Sequence, residues 1–280
     1  MNIKITSDST CDLSAELIAQ YGIQIIPLTV IKNDTAYLDG IDIVPADIFD
    51  HVANGGNLCS TSAVSVGQYE DVFAQLSAEY DGVVHINISS DMSSSYQNAC
   101  VAASEFDNVR VIDSRTLTTA QGLVVLKACE LAKNCQNLDE LKDQLVAYTE
   151  KVEASFLVDQ LKYLVKGGRC SSAAALGANL LSLKPCIGVK NGKMSVVKKY
   201  RGNFTKCLLS YIKDRLADRD DLDDSFLFVT RTPVGSDVEE AVKEAISTYG
   251  NFKNVIWTNA GCTVSCHCGP GTLGILFAHK

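Results

Sequence analysis

The sequence predicts a two-domain α/β protein, with a parallel-sheet domain over residues 1–154 and a mixed or antiparallel-sheet α/β domain over 155–280. Three observations lead there. The first half alternates short apolar runs with helical patterns at the spacing of βα units. The second half places the hairpin signal Asn191-Gly192 between two apolar runs, then adds three more strand-like runs separated by amphipathic helices. The chain has 280 residues, 46% hydrophobic and 21% charged, which suits two ordinary cores and excludes disordered and fibrous classes.

In order, Asn2–Thr6 reads as a strand, followed by the polar turn Ser7-Asp8-Ser9-Thr10 and a helix stopped at Gly22. Gln24–Ile31 reads as a second strand, and Pro27 requires it to be an edge strand or interrupted. Pro45 opens a helix that Gly55-Gly56 end. Ser65 and Gln68 form a capping box for a helix to about Tyr80. Val83–Ile88 is a strand, Ser94–Glu105 a helix and Val109–Asp113 a strand, after which Thr118 and Gln121 predict another capping box. Asn137 caps a helix whose apolar stripe is Leu138, Leu141, Leu145, Tyr148 and Val152. Beyond the boundary near Ala154, strands are expected at Ser155–Val158, Pro185–Lys190, Met194–Tyr200, Ser225–Thr230, Asn254–Asn259 and Leu273–Ala278, with helices at Asn203–Leu216 and Ser236–Tyr249.

The net charge of −8 speaks against a large nucleic-acid footprint. The opening Met1-Asn2-Ile3-Lys4-Ile5 lacks the apolar stretch of a signal peptide, and no run approaches the ~20 apolar residues of a membrane span. The eleven cysteines are scattered without an export signal, so reduced thiols and a cytoplasmic location are expected. The run Cys262-Thr263-Val264-Ser265-Cys266-His267-Cys268 has the residue types of a metal site. Cys266 and Cys268 could share one face of a strand, but the run lacks the second ligand pair typical of zinc, so buried thiols and no metal are expected.

Hydroxyl residues collect where strands turn into helices: Thr6–Thr10, Ser60–Ser65, Ser89–Ser95 and Asp113–Thr116. In a doubly wound sheet these turns share the edge at which ligands bind, and hydroxyls beside free N–H groups suit a carboxylate or phosphate. Ser9 and Ser94 are counted among them; each such turn could equally be an ordinary helix cap. Enzymatic motifs are missing: there is no GxSxG elbow, and Gly188–Lys193 lacks Walker spacing. Gly269-Pro270-Gly271-Thr272-Leu273-Gly274 matches GxGxxG without a following βαβ unit, so Gly269 is read as backbone close to a cleft. Among four histidines, His51 and His279 read as surface residues and His85 as core; only His267, beside glycines, suits a donor to a bound anion. Lys166-Gly167-Gly168-Arg169 precedes the small, apolar stretch Ser171–Ser182, which is either a buried helix or a lid over an apolar cavity. Arg169 and Arg201 follow glycine-flanked turns and are expected at a cavity rim, apart from the hydroxyls, where a guanidinium meets an acidic partner or an acyl phosphate.

Taken together, these pieces resemble the DegV family of fatty-acid-binding proteins. The matching residues are Thr6-Ser7-Asp8-Ser9-Thr10, Pro27-Leu28, Asp39-Gly40, Thr61-Ser62 with Ser65, Ser89-Ser90, Ser93, Tyr96-Gln97, Asp113-Ser114, Gly167-Gly168-Arg169, Lys184-Pro185, Arg201-Gly202 and His267-Gly269-Pro270-Gly271. The resemblance implies an EDD-type fold with one long-chain fatty acid buried between the domains and no other cofactor. Thr61, Ser62, Ser93 and His267 match the residues that hold the carboxylate. It also implies a separate ATP-dependent kinase that phosphorylates the acyl carboxylate for phospholipid synthesis; transient membrane contact is a further expectation. Val64, Ser94 and the cysteines around His267 depart from the family pattern. Burying ~14 methylenes of a sixteen-carbon chain at ~0.8 kcal/mol each supplies about 11 kcal/mol gross, comparable with an association cost on the order of 4–15 kcal/mol. The alternative expectation is an enzyme acting on a phosphorylated small molecule, with the same serine loops as a phosphate cradle.

Overall fold

The structure is a computed structural model and describes residues 1–175 and 183–280. Strand β1 (Ile3–Asp8) leads through a single 3-10 turn (Ser9–Cys11) to helix α1 (Ala15–Tyr21) and strand β2 (Gln24–Ile26). Pro27 has no N–H to continue a ladder, so the apolar run breaks there. Its second part becomes β3 (Thr29–Lys32), followed by β4 (Thr35–Leu38), α2 (Pro45–Ala53) and β5 (Ser60–Ser62). The expected strand Gln24–Ile31 therefore serves two sheets: β2 pairs with β1 in parallel, whereas β3 pairs antiparallel with β4 and β5.

Helix α3 (Val66–Glu79) starts from the Ser65–Gln68 capping box, with the Gln68 amide donating to Ser65 Oγ (3.3 Å) and the Ser65 amide to Gln68 Oε1 (3.0 Å). It leads to β6 (Gly82–Asn87), α4 (Ser95–Ala103), β7 (Val109–Asp113), α5 (Thr118–Ala132) and α6 (Leu138–Thr149). Strands β2-β1-β6-β7 form a parallel four-stranded sheet. Helices α3 and α4 cover one face; α5 and α6 cover the other.

The predicted cap on α5 does not form. Thr118 adopts φ +51°, and its hydroxyl donates to Asp12 Oδ2 at 2.5 Å. Gln121 is fully buried and donates to Asp8 Oδ1 (2.9 Å) and Ser7 Oγ (3.0 Å). A polar side chain at a helix start bonds whichever backbone or carboxylate lies nearest, and here tertiary partners win over the local ones.

After α6 the chain enters the second sheet. It comprises β8 (Val152–Val158), α7 (Leu161–Gly167), the short α8 (Ser171–Ala174), β9 (Leu183–Lys190), β10 (Lys193–Arg201), α9 (Phe204–Leu216), β11 (Leu222–Arg231), α10 (Ser236–Tyr249), β12 (Asn254–Asn259), α11 (Cys262–Cys268) and β13 (Thr272–His279). The strand order is β10-β9-β8-β13-β11-β12, antiparallel throughout except for the β11–β12 pair. The hairpin at Asn191 and Gly192 has φ +51° and +82°, as a type I′ turn requires. Of the lid-like stretch, Ser171–Ala174 is helical, and residues 176–182 lie outside the described residues.

Helix α5 joins the two sheets. Its residues from Thr118 to Leu126 are all buried, and Leu123, Val124 and Val125 pack in one core with Ile86 and Ile112 of the first sheet and Phe228 and Leu276 of the second. Against this frame, α11 is fixed by carboxylates of the first half. The Gly261 amide donates to Asp12 Oδ1 (2.9 Å), and the Cys262 and Thr263 amides donate to Asp39 (2.9 and 3.1 Å). Carboxylates at a helix N-terminus satisfy its free N–H groups and oppose its positive dipole end. The hairpin tip supplies a second tie: Ser89 Oγ donates to Gly192 O (2.7 Å) and Arg115 to Asn191 O (2.5 Å).

Candidate ligand-binding site

A cavity of about 90 Å³ opens where β5, the Ile88–Ser94 loop, the Arg169 turn and α11 converge. Thr61, Ser62, Ser93, Ser94, Arg169 and His267 all line it, although they come from both halves of the chain. Ser62 and Ser94 are exposed, whereas Thr61, Ser93 and His267 are half-buried. The remaining wall is mainly apolar, with Leu28, Ile88, Met92, Leu117, Met194 and Val264 prominent.

Local structure explains these positions. Thr61 stands on an edge strand of the small sheet, its Cα paired with Val30. Beneath that sheet, Val30, Ile43 and Ile48 pack against Cys262 and Cys266 of α11. That packing brings β5 to α11, so Thr61 Oγ1 lies 2.8 Å from His267 Nε2. Ser93 Oγ lies 2.9 Å from Ser95 Oγ and accepts the Ser95 amide (3.2 Å), which starts α4 one residue later than expected.

His267 is in the last turn of α11 rather than in a glycine turn, and Gly269 follows as the helix terminator with φ +72°. Its Nδ1 is enclosed and has no hydrogen-bond partner among the described residues. A Cβ on Gly167 would stand 2.3 Å from that nitrogen, so only glycine leaves room for the ring. Burial, reinforced by the Arg169 guanidinium, pushes the imidazole down to about 4. The ring is therefore neutral at pH 7. In the tautomer with the proton on Nε2, His267 donates to Thr61 Oγ1 and leaves the threonine O–H free for an anion.

A hydroxyl beside an imidazole also has the outline of a nucleophile and its base. Two features oppose that chemistry. So weak a base removes a hydroxyl proton poorly at neutral pH. No group among the described residues orients Nδ1 or stabilises an imidazolium. The arrangement is suited to holding an anion, with Thr61, Ser62 and Ser93 as donors and Arg169 as counter-charge.

Several sequence readings land elsewhere. Ser9 is absent from the described lining: its hydroxyl donates to Asp39 Oδ2 (3.0 Å) and accepts the Leu28 amide (3.1 Å), bracing the clamp on α11. Gly269 is also absent from the lining, and a Cβ there would strike the Tyr163 ring at 2.2 Å, so its close approach is to Tyr163. Arg169 and Arg201 were expected together, apart from the hydroxyls, but they separate. Arg169 lines the hydroxyl cavity, donating to Met92 O (3.3 Å) and Gly167 O (2.8 Å). Arg201 ends β10, exposed and outside the described lining.

The Thr6–Thr10 turn serves the core. Asp8 is fully buried and accepts from Thr10, Gln121, Asn87 and the Ile88 amide; burial raises its carboxyl while these bonds pull it down. His85 pairs with Thr6 Oγ1 (2.8 Å) and is pushed by burial down to about 3. His279 is half-buried between Glu153 and Asp221 rather than a free surface residue, and His51 is likewise only half-exposed. The Cys262–Cys268 run is helical rather than a strand, so Cys266 and Cys268 do not share a face. No cluster of three potential metal ligands occurs among the described residues.

The apolar wall and Thr263 were not identified from the sequence, since Leu28, Leu117 and Met194 stand on unrelated elements. A second cavity of about 20 Å³ shares Leu117, Val264 and Cys268 with the first. At roughly 10–15 Å³ for each water-sized group, the main cavity has room for only about six to nine such groups.

A family model described as "Uncharacterised protein, DegV family" matches residues 2–280. Protein DegV of Bacillus subtilis is 32% identical over 287 residues, covering 100% of both chains. Among solved structures, a DegV family protein from Thermus thermophilus, described by its fatty acid binding, superposes with a TM-score of 0.89 at 27% identity, covering 100% of each chain. A stearic acid-binding protein from Eubacterium ventriosum gives 0.84 at 28% identity, covering 99% of this chain and 98% of that one.

Proposed function

The chain belongs to the DegV family, and from that premise we propose that it binds one long-chain fatty acid and presents the carboxylate to a separate ATP-dependent kinase. The Thr61–His267 pair at the mouth of an apolar cavity carries the reading. Thr61, Ser62 and Ser93 donate to the carboxylate, and the His267 ring fixes the Thr61 hydroxyl. Arg169 balances the charge at the rim, and the alkyl chain runs along Leu28, Ile88, Met92 and Leu117. The fatty-acid-binding Thermus and Eubacterium proteins, alike over the whole chain, support the ligand class.

In this reading the protein is a carrier and does no chemistry of its own. Transfer would join a carboxylate oxygen to the γ-phosphorus of ATP, giving an acyl phosphate and ADP in the kinase's site. Ser62 and Ser94 are exposed at the mouth, where a partner can approach the head group. Arg201 is assigned to contact with that partner. The acyl phosphate would then enter phospholipid synthesis, and lipid exchange brings the protein briefly to a membrane surface.

Native mass spectrometry of the protein from a bacterial host tests the reading. One bound long-chain fatty acid, identified after organic extraction, is the expected result. A homogeneous ligand-free mass that stays unchanged after fatty acid is added would overturn it.

A further inference from the structure

Thr263 is the second residue of α11, and its amide is engaged by Asp39 at 3.1 Å. Its hydroxyl is not engaged. Thr263 is 5% exposed, and Oγ1 has no hydrogen-bond partner among the described residues. Within helices, threonine usually returns its hydroxyl to a carbonyl one turn earlier. At the start of α11 no such helical turn precedes it, and the nearby Ala260 carbonyl already accepts from Ser265 Oγ (3.2 Å). Thr263 therefore carries an unmet buried donor and acceptor, on a residue that lines the cavity with Leu28, Ile88 and Val264.

Its place on the helix decides what would satisfy it. His267 is four residues on, so both side chains share one face about 5–6 Å apart. The carboxylate donors gather at the His267 end. At the Thr263 end, Asp39 already presents a carboxylate to the helix amides, so a second carboxylate would face like charge. A neutral oxygen meets no such repulsion. Measured from a carboxylate seated at Thr61 and His267, the turn-length offset reaches the first few carbons of the alkyl chain.

We propose that Thr263 is a specificity-determining residue whose hydroxyl bonds a neutral oxygen on the proximal carbons of the acyl chain, so that the cavity takes 3-hydroxy fatty acids. The inference rests on the fatty-acid reading and extends it to a ligand class. Plain acids bind at the same place without satisfying Thr263.

The experiment is a competition. The protein is incubated with equimolar hexadecanoic and 3-hydroxyhexadecanoic acid, and native mass spectrometry reads the ratio of the two complexes, separately for each enantiomer. One 3-hydroxy enantiomer is expected to equal or exceed the plain acid. Thr263→Val, nearly the same shape, should shift the ratio toward the plain acid by roughly five- to tenfold. Thr263→Ser should keep the wild-type ratio, and matching thermal melts of the three proteins check the fold. An unchanged ratio in Thr263→Val overturns the proposal. A parallel loss of both acids also overturns it, by assigning the hydroxyl to the carboxylate. Uptake of neither acid by the wild type rejects the fatty-acid reading itself, whereas uptake of the plain acid alone rejects only the role of Thr263.

Discussion

Thr61 and His267 are 206 residues apart in sequence and 2.8 Å apart in space. Replacing Thr61 with valine removes the partner of His267 Nε2 and, in the proposed binding mode, one donor to the carboxylate. Fatty-acid affinity should fall by about 1–3 kcal/mol, and Ser62→Ala should act in the same range. Titration with a fluorescent fatty acid measures both. Unchanged affinity in both variants would mean that the carboxylate is held elsewhere.

Acid should weaken the fold partly through His267. Its folded pKa is about 4 against 6.5 for the free side chain, so between those values the unfolded chain binds the proton more readily. Stability then falls as pH drops from 6.5 towards 4 and levels off below, a loss on the order of 3 kcal/mol. His85, held near 3, acts in the same direction. The buried carboxyls of Asp8 and Asp12, raised by burial, act in the opposite one. Urea unfolding of wild type and His267→Gln across this range isolates the difference, which should shrink as pH falls. A difference independent of pH would show that the imidazole is not shifted.

The clamp on α11 predicts a stability effect at a distance from the ligand. Asp39→Ala leaves the Cys262 and Thr263 amides and the Ser9 hydroxyl without their acceptor. A loss of about 2–4 kcal/mol is expected, from hydrogen bonds to a charged group at a helix N-terminus. Because α11 carries His267, ligand affinity should fall as well. An unchanged urea midpoint would rule out the clamp.

The separation of the two arginines makes them a matched pair. Arg169→Ala should weaken fatty-acid binding roughly tenfold by removing a charge-assisted contact at the cavity rim. Arg201→Ala should leave binding within about twofold and slow phosphorylation of the bound acid by an ATP-dependent fatty acid kinase, as expected for a partner contact. Equal binding losses in both variants would put Arg201 at the ligand, and unimpaired transfer in Arg201→Ala would leave it an ordinary surface residue.

Local physics made the regular elements readable: the Ser65–Gln68 box, the Asn191-Gly192 turn and the break at Pro27 each depend on neighbouring residues alone. The small sheet was hidden because β4 and β5 are only four and three residues long, and gain their partners only through β3. Thr118 and Gln121 misled for a related reason, since Asp12 and Asp8 compete for their side chains from far along the chain. Hydroxyls marked the mouth of the cavity, but the burial of Thr263 depends on three-dimensional packing, for which a single threonine gives no signal.

The ties that hold α11 also set when the cleft can exist during folding. Asp12 to Gly261, Asp39 to Cys262 and Thr61 to His267 span 249, 223 and 206 residues. Contacts of such separation cost the most loop-closure entropy and form late, after the local βα units have consolidated. The cores confined to one sheet, around Phe73 and Val83 or around Tyr211 and Phe277, can therefore consolidate before any binding site appears. A chain stalled before residue 261 would contain the serine loops without the helix that completes their cavity.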